Sequence, residues 1–322
     1  MKKLPSDIDP RFRSLLQKAV RRGHVDLVFI AGGLVESVGA RGRDWFRSRT
    51  AVITFEECWP LGTNLALNRK FYSKLAALVR AAREVKAKDA AGLGCLARRL
   101  ADNDRTVLEG NAGDRAIKIV ASGMLRPNDF WRWIRSQARS DPAGTVIEYA
   151  HLHRSAGSAA DRAILQAAAY LAAAGEMPPV RPAAPVQALF PYWIALDHHT
   201  PQGRRALGDI ARDLHIPTPQ LEWACFYFEG SATNEILPSP WWDRYCDWQF
   251  RKIGLPADEA HLLWEPAKPQ LVERLSEESR QLHRQLYEWK LNNRETIDTL
   301  KKQVDFFIAH PETAQRDQLE IF

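Results

Sequence analysis

The chain has 322 residues, 45% apolar and 26% charged, a balance that excludes a wholly disordered or fibrous protein and leaves enough apolar surface for a substantial core. Its 45 lysines and arginines exceed its 39 acidic residues by a formal charge of +6, which permits a polyanionic partner without requiring one. Cys58, Cys95, Cys225 and Cys246 are far apart with no CxxC pair, which argues against a zinc ribbon or disulfide framework and suits a reducing compartment.

The Met-Lys-Lys start runs into Leu-Pro-Ser-Asp rather than an apolar segment, and apolar stretches are interrupted before about 18 residues. A cytoplasmic protein with no membrane span is expected. Apolar residues recur at three- and four-residue steps along most of the chain, and alanine is abundant in residues 75–87 and 159–174, so the spacing predicts helix nearly throughout. In chain order the predicted helices are 11–22, 25–38, 43–58, 65–88, 90–101, 113–123, 128–138, 159–174, 185–197, 201–213 and 217–228. Gly39 follows the last apolar position of the second and is its expected stop. Ile53-Thr54-Phe55 and Thr145-Val-Ile have the composition of short strands, but both runs are too brief to outweigh the surrounding helical pattern.

Two breaks divide the helices. Met177-Pro-Pro-Val-Arg-Pro-Ala-Ala-Pro cannot be helical throughout, because proline removes donors and biases the preceding residue to extended backbone. Leu237-Pro-Ser-Pro-Trp-Trp begins a stretch rich in Trp, Tyr, Arg and Asp. The expected segments are therefore 1–176, 185–236 and 237–322. From Pro269 to Ile308 no internal glycine or proline occurs. Leu282, Leu286, Trp289, Leu300, Val304 and Phe307 keep an apolar seam, with Asn293 and Thr296 between. The predicted fold is an all-α, multi-helix array with a long C-terminal helix or helical hairpin. Its seam docks on the protein's own body or on a partner, and Trp241, Trp242, Trp248, Leu282, Leu286 and Trp289 are the candidate partner-binding residues.

Chemistry-bearing motifs are few. No GxxxxGK[ST] loop, HExxH pair or GxSxG elbow is present, so no enzymatic activity and no cofactor are expected. Asp197-His198-His199 offers a carboxylate and two imidazoles in one stretch. It resembles the motif that names the DHH phosphoesterases, but the further Asp clusters on strands of an α/β sheet that this family requires are lacking. The tripeptide precedes Thr200-Pro201, where Thr200 is suited to cap a helix. His151 and His153 would share a face on a strand but not on a helix.

Basic residues are better populated. Arg41, Arg43, Arg47 and Arg49 fall within nine positions, and Lys70, Lys74, Arg80, Arg83 and Lys86 follow on the next predicted helix. Trp131-Arg132-Trp133-Ile134-Arg135 interleaves indoles with guanidiniums, a composition suited to phosphate contact and base stacking. The candidate nucleic-acid-binding residues are these nine cations with Trp131, Arg132 and Arg135. A solvated helix face and ordinary core packing are the alternatives for each.

One further segment carries a family resemblance. Asp26-Leu-Val-Phe-Ile-Ala-Gly-Gly-Leu-Val-Glu-Ser-Val-Gly39 is followed by Asp44-Trp-Phe-Arg-Ser-Arg49-Thr-Ala-Val-Ile-Thr-Phe-Glu56-Glu57 and Leu61-Gly62. This resembles the region after the ATPase core in the RarA/MgsA family of clamp-loader-like AAA+ proteins. Arg49 matches the second arginine of a pair whose first is here Ser48, Glu56 and Glu57 stand for Glu-Asp, and Trp59-Pro60 departs from the turn. The resemblance covers about 40 residues, without the ATPase core. It implies a helical, collar-like module acting near DNA in replication or repair, with DNA rather than RNA as ligand. Self-association or a replication-associated ATPase partner is implied with it.

Overall fold

The computed structural model describes residues 9–64, 71–108, 114–138 and 141–310. Among these it is all-α, with fifteen helices in chain order. They are α1 (Pro10–Arg21), α2 (Val25–Ser37), α3 (Ala40–Cys58), α4 (Phe71–Arg83), α5 (Asp89–Ala101), α6 (Asp114–Leu125), α7 (Pro127–Ser136), α8 (Pro142–Leu152) and α9 (Ala159–Ala174). After the proline-rich connector come α10 (Pro201–Asp213), α11 (Thr218–Cys225), α12 (Pro240–Lys252), α13 (Ala260–Arg274), α14 (Ser276–Asn292) and α15 (Arg294–Ala309). No helix among the described residues is long and apolar enough to cross a membrane.

Local chemistry accounts for many of the helix ends. Asp141 and Thr200 accept from the backbone N–H three residues on, Gly144 and Gly203, each ahead of a proline in the first turn. Ser158 and Asp161 form a reciprocal capping box at α9, which ends at Gly175 in the left-handed region with φ 78°. Gly39, φ 99°, follows α2 as expected.

Four elements differ from the sequence reading. The helix expected over 65–88 is observed only as Phe71–Arg83, with 65–70 outside the described residues. Beyond it, Val85 N–H donates to Arg181 O (2.9 Å), Lys86 N–H to Glu235 O (3.0 Å) and Ala87 N–H to Glu57 O (2.9 Å). Those long-range backbone bonds replace the helical ladder. Residues 185–197 are mostly irregular, with one short 3-10 turn at Tyr192–Ala195, since Pro185 and Pro191 punctuate them. Helix α8 is absent from the predicted order; Thr145-Val-Ile lies inside it, in agreement with setting a strand aside there, and Val146 and Ile147 are buried. The expected long C-terminal helix is three helices, broken at Leu275 and at Asn293, whose side-chain amide donates to Trp289 O at 2.8 Å. Asn293 thus closes a helix end within the apolar seam.

The chain forms two compact units. The first gathers the chain through Phe46 with Pro185–Asn234 and Gln249–Lys301; the second gathers Arg47–Ala184, Glu235–Trp248 and the chain from Lys302. The breaks read near 185 and 237 are where the chain passes between units, yet neither unit is one continuous segment. In the first, α14 packs on α2, and the Trp289 ring lies so close to Gly33 that a Cβ there would sit 2.7 Å from it. In the second, α5, α6, α8 and α9 build the core.

Close approach in that core depends on α5 glycines. A Cβ on Gly94 would stand 2.8 Å from the Ile164 backbone nitrogen of α9, and one on Gly92 would stand 2.3 Å from the Trp241 carbonyl. We therefore expect Gly94→Ala to cost about 1–3 kcal/mol through overpacking. Gly208→Ala, which meets nothing within 4 Å on α10, should gain about 0.5–1 kcal/mol from helix propensity. Urea denaturation of the two variants distinguishes these signs.

Candidate nucleic-acid interface

Helix α6 reads Asp-Arg-Ala-Ile-Lys-Ile-Val-Ala-Ser-Gly-Met-Leu. Ala116, Ile117, Val120, Ala121 and Gly123 are buried on one face, which leaves Arg115, Lys118, Ser122 and then Arg126 on the other at steps of three and four. At about 1.5 Å per residue the row from Arg115 to Arg126 extends roughly 16 Å. Arg115, Lys118 and Arg126 are exposed, and none has an ion-pair partner among the described residues; Arg126 donates to Ser122 Oγ at 3.0 Å.

Helix α7 starts at Pro127 and is strongly two-faced, with Phe130, Trp131 and Ile134 buried and Arg132, Trp133 and Arg135 outward. Gly123 fixes its approach to α6. The Phe130 ring occupies the space that a side chain at 123 would need, since a Cβ there would lie 2.5 Å from Phe130 Cδ2. Gln166 of α9 donates its amide to Gly123 O at 3.1 Å and holds the same turn from beneath. Between the two helices opens a cleft of about 870 Å³, walled on one side by the cation row and on the other by Phe130 and Trp133. That volume suits a group of nucleotide size.

The carboxylates at the cleft are already matched. Asp114 accepts from Arg244 at 2.6 Å and Asp129 from Arg132 at 3.3 Å. The positive charge of Arg115, Lys118 and Arg126 is therefore uncompensated there.

The cations singled out from sequence are distributed otherwise. Arg41 and Arg43 belong to the first unit, Arg47 and Arg49 to the second. Arg49 is paired with Asp161, Arg83 with Asp305 at 3.3 Å and Arg135 with Glu148 at 2.9 Å. Arg80 is half-buried, Lys74 is buried, and Lys70 lies outside the described residues. Lys86 is fully buried, its ammonium donating to Ala81 O (2.6 Å), Ala82 O (3.3 Å) and Glu84 O (2.6 Å) at the end of α4. Burial pushes its pKa down to about 8. Trp131 is buried edge-on to Phe130 with centroids 5.2 Å apart. Lys74, Lys86 and Trp131 are thus corrected from surface contacts to interior groups. Of the interleaved α7 motif, the arginines remain outward and Trp133, not Trp131, is the accessible indole. The signal for Arg115, Lys118 and Arg126 was the three-and-four cation spacing opposite an apolar α6 face.

Three of the six expected partner-surface residues are interior, and the half-buried Trp241, Trp242 and Trp289 each have a contact within their own unit. Leu282 and Leu286 are buried in the first unit, and Trp289 covers Gly33. Trp248 is buried and donates its indole N–H to Thr106 Oγ1 at 3.0 Å, Arg244 lies over Trp241, and Lys88 lies over Trp242 at 5.5 Å.

Asp197, His198 and His199 bring three possible ligand atoms within 4.8 Å of one another. The carboxylate, however, is committed. Lys18 Nζ lies 2.6 Å from Asp197 Oδ2, His199 Nδ1 lies 2.9 Å from the same oxygen, and His199 N–H donates to Oδ1 at 3.0 Å. Burial alone would raise the Asp197 pKa, but Lys18 and His199 outweigh it and hold the carboxyl well below its usual range. Burial, reinforced by the neighbouring His199, pushes His198 down to about 4, so this imidazole is neutral at pH 7. A divalent ion would have to displace the Lys18 ammonium, and the cluster works as a buried ion pair that anchors the turn before α10.

No family model, curated protein or solved structure matches this chain.

The Lys18–Asp197 pair has a pH signature. Its carboxyl has a lowered folded pKa, so the pair contributes stability above the unfolded value near 3.9 and loses it as pH falls below that. We expect Lys18→Met to cost about 3–5 kcal/mol by leaving a buried charge uncompensated, and Lys18→Met with Asp197→Leu to cost less than that single change. Denaturant melts from pH 7 down to pH 3 should show Asp197→Asn flattening the acid loss.

Proposed function

We propose that the protein binds nucleic acid without catalysing a reaction on it, the phosphate backbone running along the exposed face of α6. The observation that carries this reading is the row Arg115, Lys118 and Arg126, without ion-pair partners among the described residues, beside a cleft whose carboxylates are matched by Arg244 and Arg132. Such cations gain most from a polyanion, because each phosphate contact releases condensed counterions. The likeness of residues 26–62 to the RarA/MgsA family adds DNA replication or repair as the setting. That segment folds as a helix, a glycine stop, a second helix and a 3-10 turn at Trp59–Asn64, a form that helical pairs of other ancestry share. Metal-dependent hydrolysis at Asp197 is disfavoured by the Lys18 ammonium seated on that carboxylate.

Fluorescence anisotropy with labelled DNA at a series of salt concentrations tests the proposal. Three phosphate contacts predict that log K falls by about 2 to 3 for each tenfold rise in salt. The combined change Arg115→Gln, Lys118→Gln and Arg126→Gln should bring that dependence close to zero and weaken low-salt binding by more than tenfold. Absence of binding at low salt, or a triple variant that binds like the parent, overturns the reading.

A further inference from the structure

Resting on that reading, we infer that the cleft selects single-stranded over duplex nucleic acid, with one unpaired base lying on the Trp133 indole while its phosphates meet the α6 cations. The two walls differ in chemistry in the way a single nucleotide does. One is cationic and hydrogen-bonding, the other aromatic, and both face the same cleft of about 870 Å³.

Trp133 is 42% exposed, whereas its neighbours Phe130 and Trp131 are about 5% exposed. It meets Phe130 edge-on, with ring centroids 6.0 Å apart and planes at 64°, so Phe130 does not stack upon its face. Phe130 in turn is fixed against Gly123 and by the perpendicular Trp131 ring. The exposed indole therefore abuts a packed aromatic ring on one edge and keeps its face open to a ligand that stacks on it. A base inside a duplex has both faces covered by its neighbours and presents only its edges. An aromatic platform consequently rewards unpaired strands, and it does so with little regard to sequence because every base has a π-face. The cation row alone would bind either form.

The test uses the full chain with labelled oligothymidine and with the same strand annealed to oligoadenosine, at low salt. The parent should bind the single strand about tenfold more tightly than the duplex. Trp133→Ala should lose about tenfold on the single strand and leave duplex affinity unchanged, and Trp133→Phe should retain most single-strand affinity. Thermal melts confirm that each variant is folded, and Trp133→Phe keeps the test decisive if the alanine variant is not. Duplex binding as tight as single-strand binding, or a folded Trp133→Ala equal to the parent on both, overturns the single-strand inference. The phosphate reading survives that result provided the triple α6 variant still loses affinity. Failure of the parent to bind either form overturns both.

Discussion

A buried carboxylate set against a lysine or arginine commits that cation to the fold, and the distribution of such pairs shapes what this chain presents to solvent. Asp197 holds Lys18, Asp161 holds Arg49, Glu57 holds Lys88, and Glu229 takes both Arg22 and Lys268. Where the pairs are buried, desolvation makes either member costly to leave alone, so those cations belong to the fold rather than to a partner. Acid is scarcer than base by six charges over the whole sequence. On α6 the outcome is local and visible: Asp114 is turned toward Arg244, leaving Arg115 and Lys118 to face the cleft.

The same region shows how packing sets the geometry of the cleft between α6 and α7. Gly123 admits the Phe130 ring, Phe130 fixes the angle at which α7 leaves α6, and Gln166 ties the Gly123 carbonyl to α9. Contacts of α6 with α5 and α9 then seat the cation row on the core of the second unit. A site built on such elements has little freedom to lose on binding.

Helix type and many helix ends were readable from sequence because the signals are local. Thr200 with Pro201, and Gly39, each act within four residues of their own position. The extended run at Val85–Ala87 was hidden, since its partners Arg181 and Glu235 lie about a hundred residues or more away, and alanine-rich composition favours helix there. The role of Asn293 was open in the sequence for a related reason. A polar residue at a seam position and a polar residue capping a helix carry the same local pattern, and only the bond to Trp289 O separates them. In the candidate site, the sequence placed Trp131–Arg135 on one helix, but which of its two indoles faces outward depends on where α7 meets its neighbours. Counting cations could not show that Lys74 and Lys86 are interior, because burial of a lysine is decided by tertiary carbonyl and carboxylate partners.

The central claim is that nucleic acid meets this protein at α6 and α7. Hydrogen–deuterium exchange of the full chain, with and without a saturating single-stranded oligonucleotide, tests it most directly. The account predicts slowed exchange concentrated in peptides spanning residues 114–136. Protection confined to α3 and α4, with residues 114–136 unchanged, would contradict it.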